Sequence, residues 1–402
     1  MLRRRDDAPT AHRRGRLGYR SRMQIEGRVA PGYEAVRDAF ERNFTDHGDV
    51  GASVAATVDG EMVVDLWGGT ATYDHGEGPW ERDTIVNVWS TTKTMAALCC
   101  LVLADRGQLD LYEPVATYWP EFAANGKEQV ATRHVLSHSA GLPGWVAPIT
   151  GEDLLDHDKL AGLLAGQAPW WEPGSAPGYH AISQGYLLGE IVQRVTGRSL
   201  GTFFADEIAG PLGADFHIGT AAEHDARVAH VIPPEQPLLD PTATDPTSIA
   251  ARAMQTAGFD ASFSSRHDWR RAEIPAAGGH GNARSVATVH TPTACGGTAN
   301  GVTILSPEGV DRIFDEQVRG TDLILGMDVR HGMGYGLPSP MVPLPNERTC
   351  FWGGWGGSIA IIDTDAKMAF AYAMNSMGAG TTGDVRGINL LTATYMSMLA
   401  AG

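Results

Sequence analysis

Residues 87–97 read NVWSTTKTMAA, with Ser90 and Lys93 three positions apart at the head of a run of small and apolar residues. On a helix, positions i and i+3 lie on one face, close enough for a hydroxyl and an amine to meet. Two readings follow. In one, the hydroxyls cap a helix start and the lysine faces water. In the other, Ser90 is a nucleophile and Lys93 takes its proton, because a serine hydroxyl attacks poorly without a neighbouring base. The second reading needs a neutral lysine, hence burial or cationic neighbours that depress its pKa. The flanks bear on this: IVNVWS before the serine and TMAALCCLVLADRG after the lysine are apolar on nearly every side. Lys93 therefore sits in a helix that reads as buried all round, and a buried lysine needs a reason.

With 402 residues, 43% of them hydrophobic, the chain is long enough for one large domain or two closely joined ones. A formal net charge of −16 and the absence of a cluster of basic and aromatic residues exclude a phosphate-gathering surface, so nucleic acid is not an expected partner. The 31 basic residues include only four lysines, and Lys93 alone follows a serine by three. Four cysteines, with Cys99 and Cys100 adjacent in an apolar helical pattern, read as buried free thiols. No CxxC or HExxH spacing points to a metal, and no cofactor is expected. No run of 18 apolar residues predicts a membrane span. Residues 1–24 form a basic, polar arm, expected to be disordered, or to reflect translation beginning at Met23 rather than Met1. The arm lacks the apolar stretch of a signal peptide, so a cytoplasmic location is expected.

Outward from the central motif, YEAVRDAFERNF (33–44) has helical spacing, and GASVAATVDGEMVVDLWGG (51–69) alternates around a DG turn as a hairpin. The helix begun near Ser90 stops at DRGQLD with a glycine C-cap. Residues 111–200 carry short helical patterns ending in SQGYLLGEIVQRVTG, and 220–280 is rich in Pro, Ala, Asp and Thr, as surface loops near a pocket would be. TCFWGGWGGSIAIIDTDAKMAFAYAMN reads as two strands joined by DTDAK, and INLLTATYMSMLAA as a final helix. Strands at both ends with helices between predict an α/β sheet domain from 25–110 and 280–402, interrupted by a mostly α-helical domain over 111–279.

Seven segments in order resemble the serine β-lactamase-like and penicillin-binding-protein-like hydrolases, most closely the family VIII carboxylesterases: STTK at 90–93, LADRGQLDLYEPVATYWPEF, TRHVLSHSAGLPGW at 132–145, PGYHAISQGYLLGEIVQRVTG at 177–197, PLGADFHIG at 211–219, GGHGNARSVA at 278–287 and WGGWGGS at 352–358. The resemblance implies an antiparallel sheet flanked by helices with a helical insertion. It implies that Ser90 is the acylated nucleophile, Lys93 its base and Tyr179 the proton relay, with Lys93 in hydrogen-bond reach of both hydroxyls. It places the oxyanion hole on the backbone N–H groups of Ser90 and Trp355, and substrate contact on Trp352, Gly353 and Gly354.

This chain departs from the family's Tyr-x-Asn, because His180 and Ala181 follow Tyr179, so no asparagine is there to hold a substrate amide. His180 reads either as a catalytic imidazole or as a packed histidine. The third motif, with Trp352 in place of a lysine or histidine, offers an indole rather than a charge, which suits neutral esters. Its glycines are expected to let backbone approach the substrate. The Gly-Leu-Pro turn of HSAGLPGW reads as a loop lining the site. The expected activity is hydrolysis of short-chain carboxylic esters; β-lactam or amide hydrolysis, acyl transfer, or a non-catalytic binding role are the alternatives.

Overall fold

The computed structural model describes residues 24–235, 245, 247–255 and 260–401. The basic arm up to Met23 lies outside them. Strands β1 (Ile25–Val29), β2 (Gly51–Val58), β3 (Glu61–Tyr73), β4 (Thr349–Gly353), β5 (Ile359–Asp363) and β6 (Met368–Met374) form an antiparallel sheet in the order β1-β3-β2-β6-β5-β4, with Gly76–Pro79 pairing with the far end of β3. The β2–β3 hairpin turns at Asp59-Gly60, both with positive φ, as the DG dipeptide predicts. The C-terminal stretch read as two strands makes three, because TCFWG pairs as β4 with β5.

Strands β5 and β6 are buried along their whole length, which is why they read as apolar runs rather than alternating ones, and β2, expected to alternate, is buried along all but its last residue. Helices α1 (Glu34–Asp46) and α5 (Val385–Ala401) pack together against one face, and α4 (Ala283–Ala294) covers β2, β6 and β5 from the other. Between sheet and helical region runs α2 (Thr92–Asp105), every residue of which from Thr92 to Ala104 is buried. It packs on α3 (Ser183–Thr196), which ends at Gly197 in the left-handed conformation that a glycine adopts at low cost.

A second, four-stranded sheet of short strands runs 217–218, 279–281, 85–87, 228–229. It feeds the chain directly into Ser90, and the Val88 N–H donates to Gly279 O at 2.9 Å. The 220–280 segment, expected as loops, also forms the helix Ile249–Gln255, whose Ile249 and Met254 pack on a cluster containing Tyr179 and Trp352. Cys99, Cys100, Cys295 and Cys350 are all free thiols. No helix among the described residues is long and apolar enough to cross a membrane.

Candidate active site

Ser90 sits in the single 3₁₀ turn Trp89–Thr91 that opens into α2, and no side chain caps that helix start. The capping reading of the hydroxyls is therefore not realised. Trp89 holds a φ of 49°, a conformation that is uncommon for a bulky residue and marks local strain. Trp355 packs against its ring at 5.0 Å and Trp269 at 5.8 Å, and the Ser358 hydroxyl ties the turn down by bonding Val88 O at 2.8 Å and Thr91 Oγ1 at 2.9 Å. Tertiary packing imposes the bend that aims the Ser90 side chain.

Lys93 is 1% exposed, and its Nζ lies 3.0 Å from Ser90 Oγ, 2.7 Å from Ala181 O and 2.9 Å from Ala276 O. No carboxylate is among these partners. Loss of solvent alone drives the lysine well below its usual pKa. A neutral amine has two N–H donors and one lone pair. In that form the two carbonyls would take both donors and leave the lone pair for the Ser90 hydroxyl. The Ala276 carbonyl is held in place from Asn87, whose Nδ2 donates to Ala277 O at 2.6 Å, and from Thr92, whose Oγ1 accepts from Gly279 N at 3.0 Å.

The Tyr179 hydroxyl donates to Ser90 Oγ at 2.6 Å. Burial pushes the phenol up to about 12, against the pull of the Ser90 and Trp352 hydrogen bonds. The expected direct bond from Lys93 to this hydroxyl is not formed: Lys93 spends its remaining capacity on carbonyls and reaches Tyr179 only across the ring face, 5.0 Å from the centroid. Ser90 Oγ is the atom at which the two groups meet.

His180 resolves as a packed residue. Its Nδ1 bonds Gly178 O at 2.6 Å while Nε2 accepts from Leu142 N at 2.9 Å, so both ring nitrogens are consumed, and burial lowers its pKa to about 3. The HSAGLPGW loop buttresses the Tyr179 segment, with Gly178 N bonding His138 O at 2.8 Å and Ser183 Oγ bonding Leu142 O at 2.6 Å.

Trp352, on edge strand β4, stacks on His138 at 5.0 Å and lies 6.1 Å from the Tyr179 ring. A cleft opens beside these two residues, walled by Leu325, Met327, Leu337, Val342, Phe351 and Gly353 together with polar residues such as Asp328 and Arg330. The glycines are required by the protein's own packing. A Cβ at Gly354 would stand 2.3 Å from Val88 O, and one at Gly353 2.4 Å from the Thr382 carbonyl carbon, so these glycines let backbone approach backbone. Next to them, the N–H groups of Gly354 and Gly356 bond Ser358 O at 2.7 Å and Gly380 O at 2.9 Å, whereas that of Trp355 bonds nothing among the described residues.

Sequence reasoning missed Asp322. It is 1% exposed, and its Oδ1 accepts from the N–H groups of Tyr179 at 3.1 Å, Ile324 at 2.8 Å and Leu325 at 2.8 Å. It lies 143 positions from Tyr179, in a segment with no motif to mark it.

A serine and lysine at a buried helix start, between an antiparallel sheet and a helical region, are the arrangement of the β-lactamase and penicillin-binding group. The chain belongs to the β-lactamase family, whose model, described as Beta-lactamase, matches residues 36–394. It is 33% identical over 383 residues to Esterase/beta-lactamase LipL of Mycobacterium tuberculosis, across 92% of this chain and 85% of that protein. A solved structure described as a family VIII carboxylesterase is 41% identical with a TM-score of 0.86, covering 93% of this chain and 100% of that one. A penicillin-binding protein homolog from Caulobacter crescentus is 36% identical with a TM-score of 0.84, over the same 93% and 100%.

Proposed function

We propose that the protein is a serine hydrolase that cleaves short-chain, neutral carboxylic esters through an acyl-enzyme on Ser90. The observation that carries this is the pairing of a buried, carbonyl-anchored Lys93 with Ser90 Oγ at 3.0 Å. Ser90 Oγ attacks the ester carbonyl carbon as its proton passes to Lys93 Nζ. The N–H groups of Ser90 and Trp355 receive the resulting oxyanion in a site where fixed donors need no reorganisation. Collapse breaks the carbon–oxygen bond to the alcohol, whose oxygen takes the Tyr179 proton, and the phenolate is reprotonated at the expense of the Lys93 ammonium. Water then adds to the acyl carbon with the same groups acting in reverse, releasing the acid and Ser90.

The ester preference rests on Trp352, which brings an indole where a lysine or histidine would bring a charge, and on His180-Ala181 where an amide-holding asparagine would stand. The named esterases among the relatives support the same reading. The resemblance to a penicillin-binding protein homolog favours β-lactam or amide hydrolysis as the second reading. Incubation with p-nitrophenyl butyrate, nitrocefin and a fluorophosphonate probe, beside Ser90→Ala, separates them. Ester turnover exceeding nitrocefin turnover, with labelling lost in Ser90→Ala, is expected. Absence of both turnover and labelling refutes the enzyme, and faster nitrocefin turnover transfers the assignment to the second reading.

A further inference from the structure

We infer that Arg386, at the start of α5, is a positioning residue that holds the Trp355 N–H in place for the oxyanion. This rests on the proposed acyl-enzyme chemistry. Arg386 is 4% exposed, and each of its five N–H donors has a partner. Nε bonds Asp384; Nη1 bonds Asp49 Oδ1 at 2.8 Å and Ser376 O at 2.7 Å; Nη2 bonds Asp384 Oδ2 at 2.5 Å and Gly356 O at 2.7 Å. No donor is left for substrate, so the guanidinium acts only through what it holds.

What it holds is the turn on which Trp355 sits. Gly356 O takes the arginine and the Gly378 N–H, at 2.8 Å, from behind, while the Trp355 N–H has no partner among the described residues. The turn is fitted closely to the guanidinium. Gly357 has a φ of 124°, and a Cβ there would stand 2.5 Å from Asp384 Oδ2 and 2.8 Å from Arg386 Nη2. Behind the arginine, Asp49 is fully buried and accepts both from it and from the Tyr372 hydroxyl at 2.7 Å. A planar fork tied at five points gives an orientation that a lysine's point charge cannot reproduce.

An oxyanion donor that shifts loses contact with the transition state more than with the ground state, so kcat suffers and KM does not. In Arg386→Lys, kcat for p-nitrophenyl butyrate is expected to fall at least tenfold with KM within twofold. The preference for the ester over its thionoester analogue, whose sulfur is a poorer acceptor, is expected to drop at least threefold. Tyr395→Phe, which removes the 2.6 Å bond to Asp363 from the same helix without touching the turn, is the stability control, and its kcat is expected within twofold of wild type. If Arg386→Lys does not fold, Asp384→Asn is expected to show the same signature at about threefold in kcat. An unchanged ester to thionoester ratio in the folded variant, or a kcat loss no larger than that of Tyr395→Phe, overturns the assignment. Failure of the wild type to label at Ser90 would instead overturn the acyl-enzyme reading beneath it.

Discussion

The Tyr179 hydroxyl stands 2.6 Å from Ser90 Oγ and donates to it, while Lys93 Nζ lies 3.0 Å from the same oxygen. With its pKa near 12, the phenol is protonated throughout the working range, as an acid for the departing alcohol must be. Tyr179→Phe is expected to lower kcat by about 10²–10³ while Ser90 still reacts with a fluorophosphonate. Wild-type kcat/KM should show no alkaline decline assignable to this tyrosine up to pH 10. A decline near pH 9 that vanishes in Tyr179→Phe would contradict the assignment.

Lys93 links activity to stability with a definite sign. Its folded pKa is depressed below its unfolded value, so between the two the unfolded state binds the extra proton and stability rises with pH. The buried lysine thus costs stability below its unfolded pKa, and that cost fades as pH approaches it. Lys93→Met, which fills the same apolar volume, is expected to be at least 10³-fold less active yet to melt higher at pH 7, by about 1 °C per kcal/mol for a chain of this length, with the difference shrinking toward pH 10. Thermal melts at pH 7 and pH 10 check this, and a lower melting temperature for the variant at pH 7 would refute a neutral Lys93.

Asp322 gathers three backbone N–H groups, including that of Tyr179, onto one buried oxygen. Asp322→Ala leaves them unpaired at about 1–3 kcal/mol each. It is expected to unfold at clearly lower denaturant concentration and to lose about tenfold in kcat as the Tyr179 segment loosens. Asp322→Asn, which keeps an acceptor oxygen, should stay within about threefold in kcat. Equal kcat for Ala and wild type would show that the segment needs no such anchor.

Trp352 contributes apolar surface beside the Tyr179 ring. Removing that surface weakens ground-state and transition-state binding alike. Trp352→Ala is expected to raise KM for p-nitrophenyl butyrate about tenfold, equivalent to about 1.4 kcal/mol, with a smaller change in kcat. Steady-state kinetics over acyl chains of two to eight carbons would check it, and an unchanged KM throughout would remove Trp352 from the binding surface.

The sequence by itself determined the elements and the pairing at the centre of the site. A three-residue spacing on a helix puts Ser90 and Lys93 side by side whatever surrounds them, and apolar flanks on every side require that the pair be buried. The DG turn of the β2–β3 hairpin and the glycine stop of α3 were legible for the same reason: each depends on the local backbone alone. The third C-terminal strand was missed because TCFWG becomes a strand through its pairing with β5, not through its own pattern. Tertiary structure alone decided the rest of the site. Two carbonyls, 88 and 183 residues from Lys93, anchor its amine, and long-range contacts give Asp322 to Tyr179 and Arg386 to Gly356. These are bonds to backbone atoms, which every residue carries. No residue type announces them, so they exist only where the folded chain brings the donor to the right carbonyl or amide.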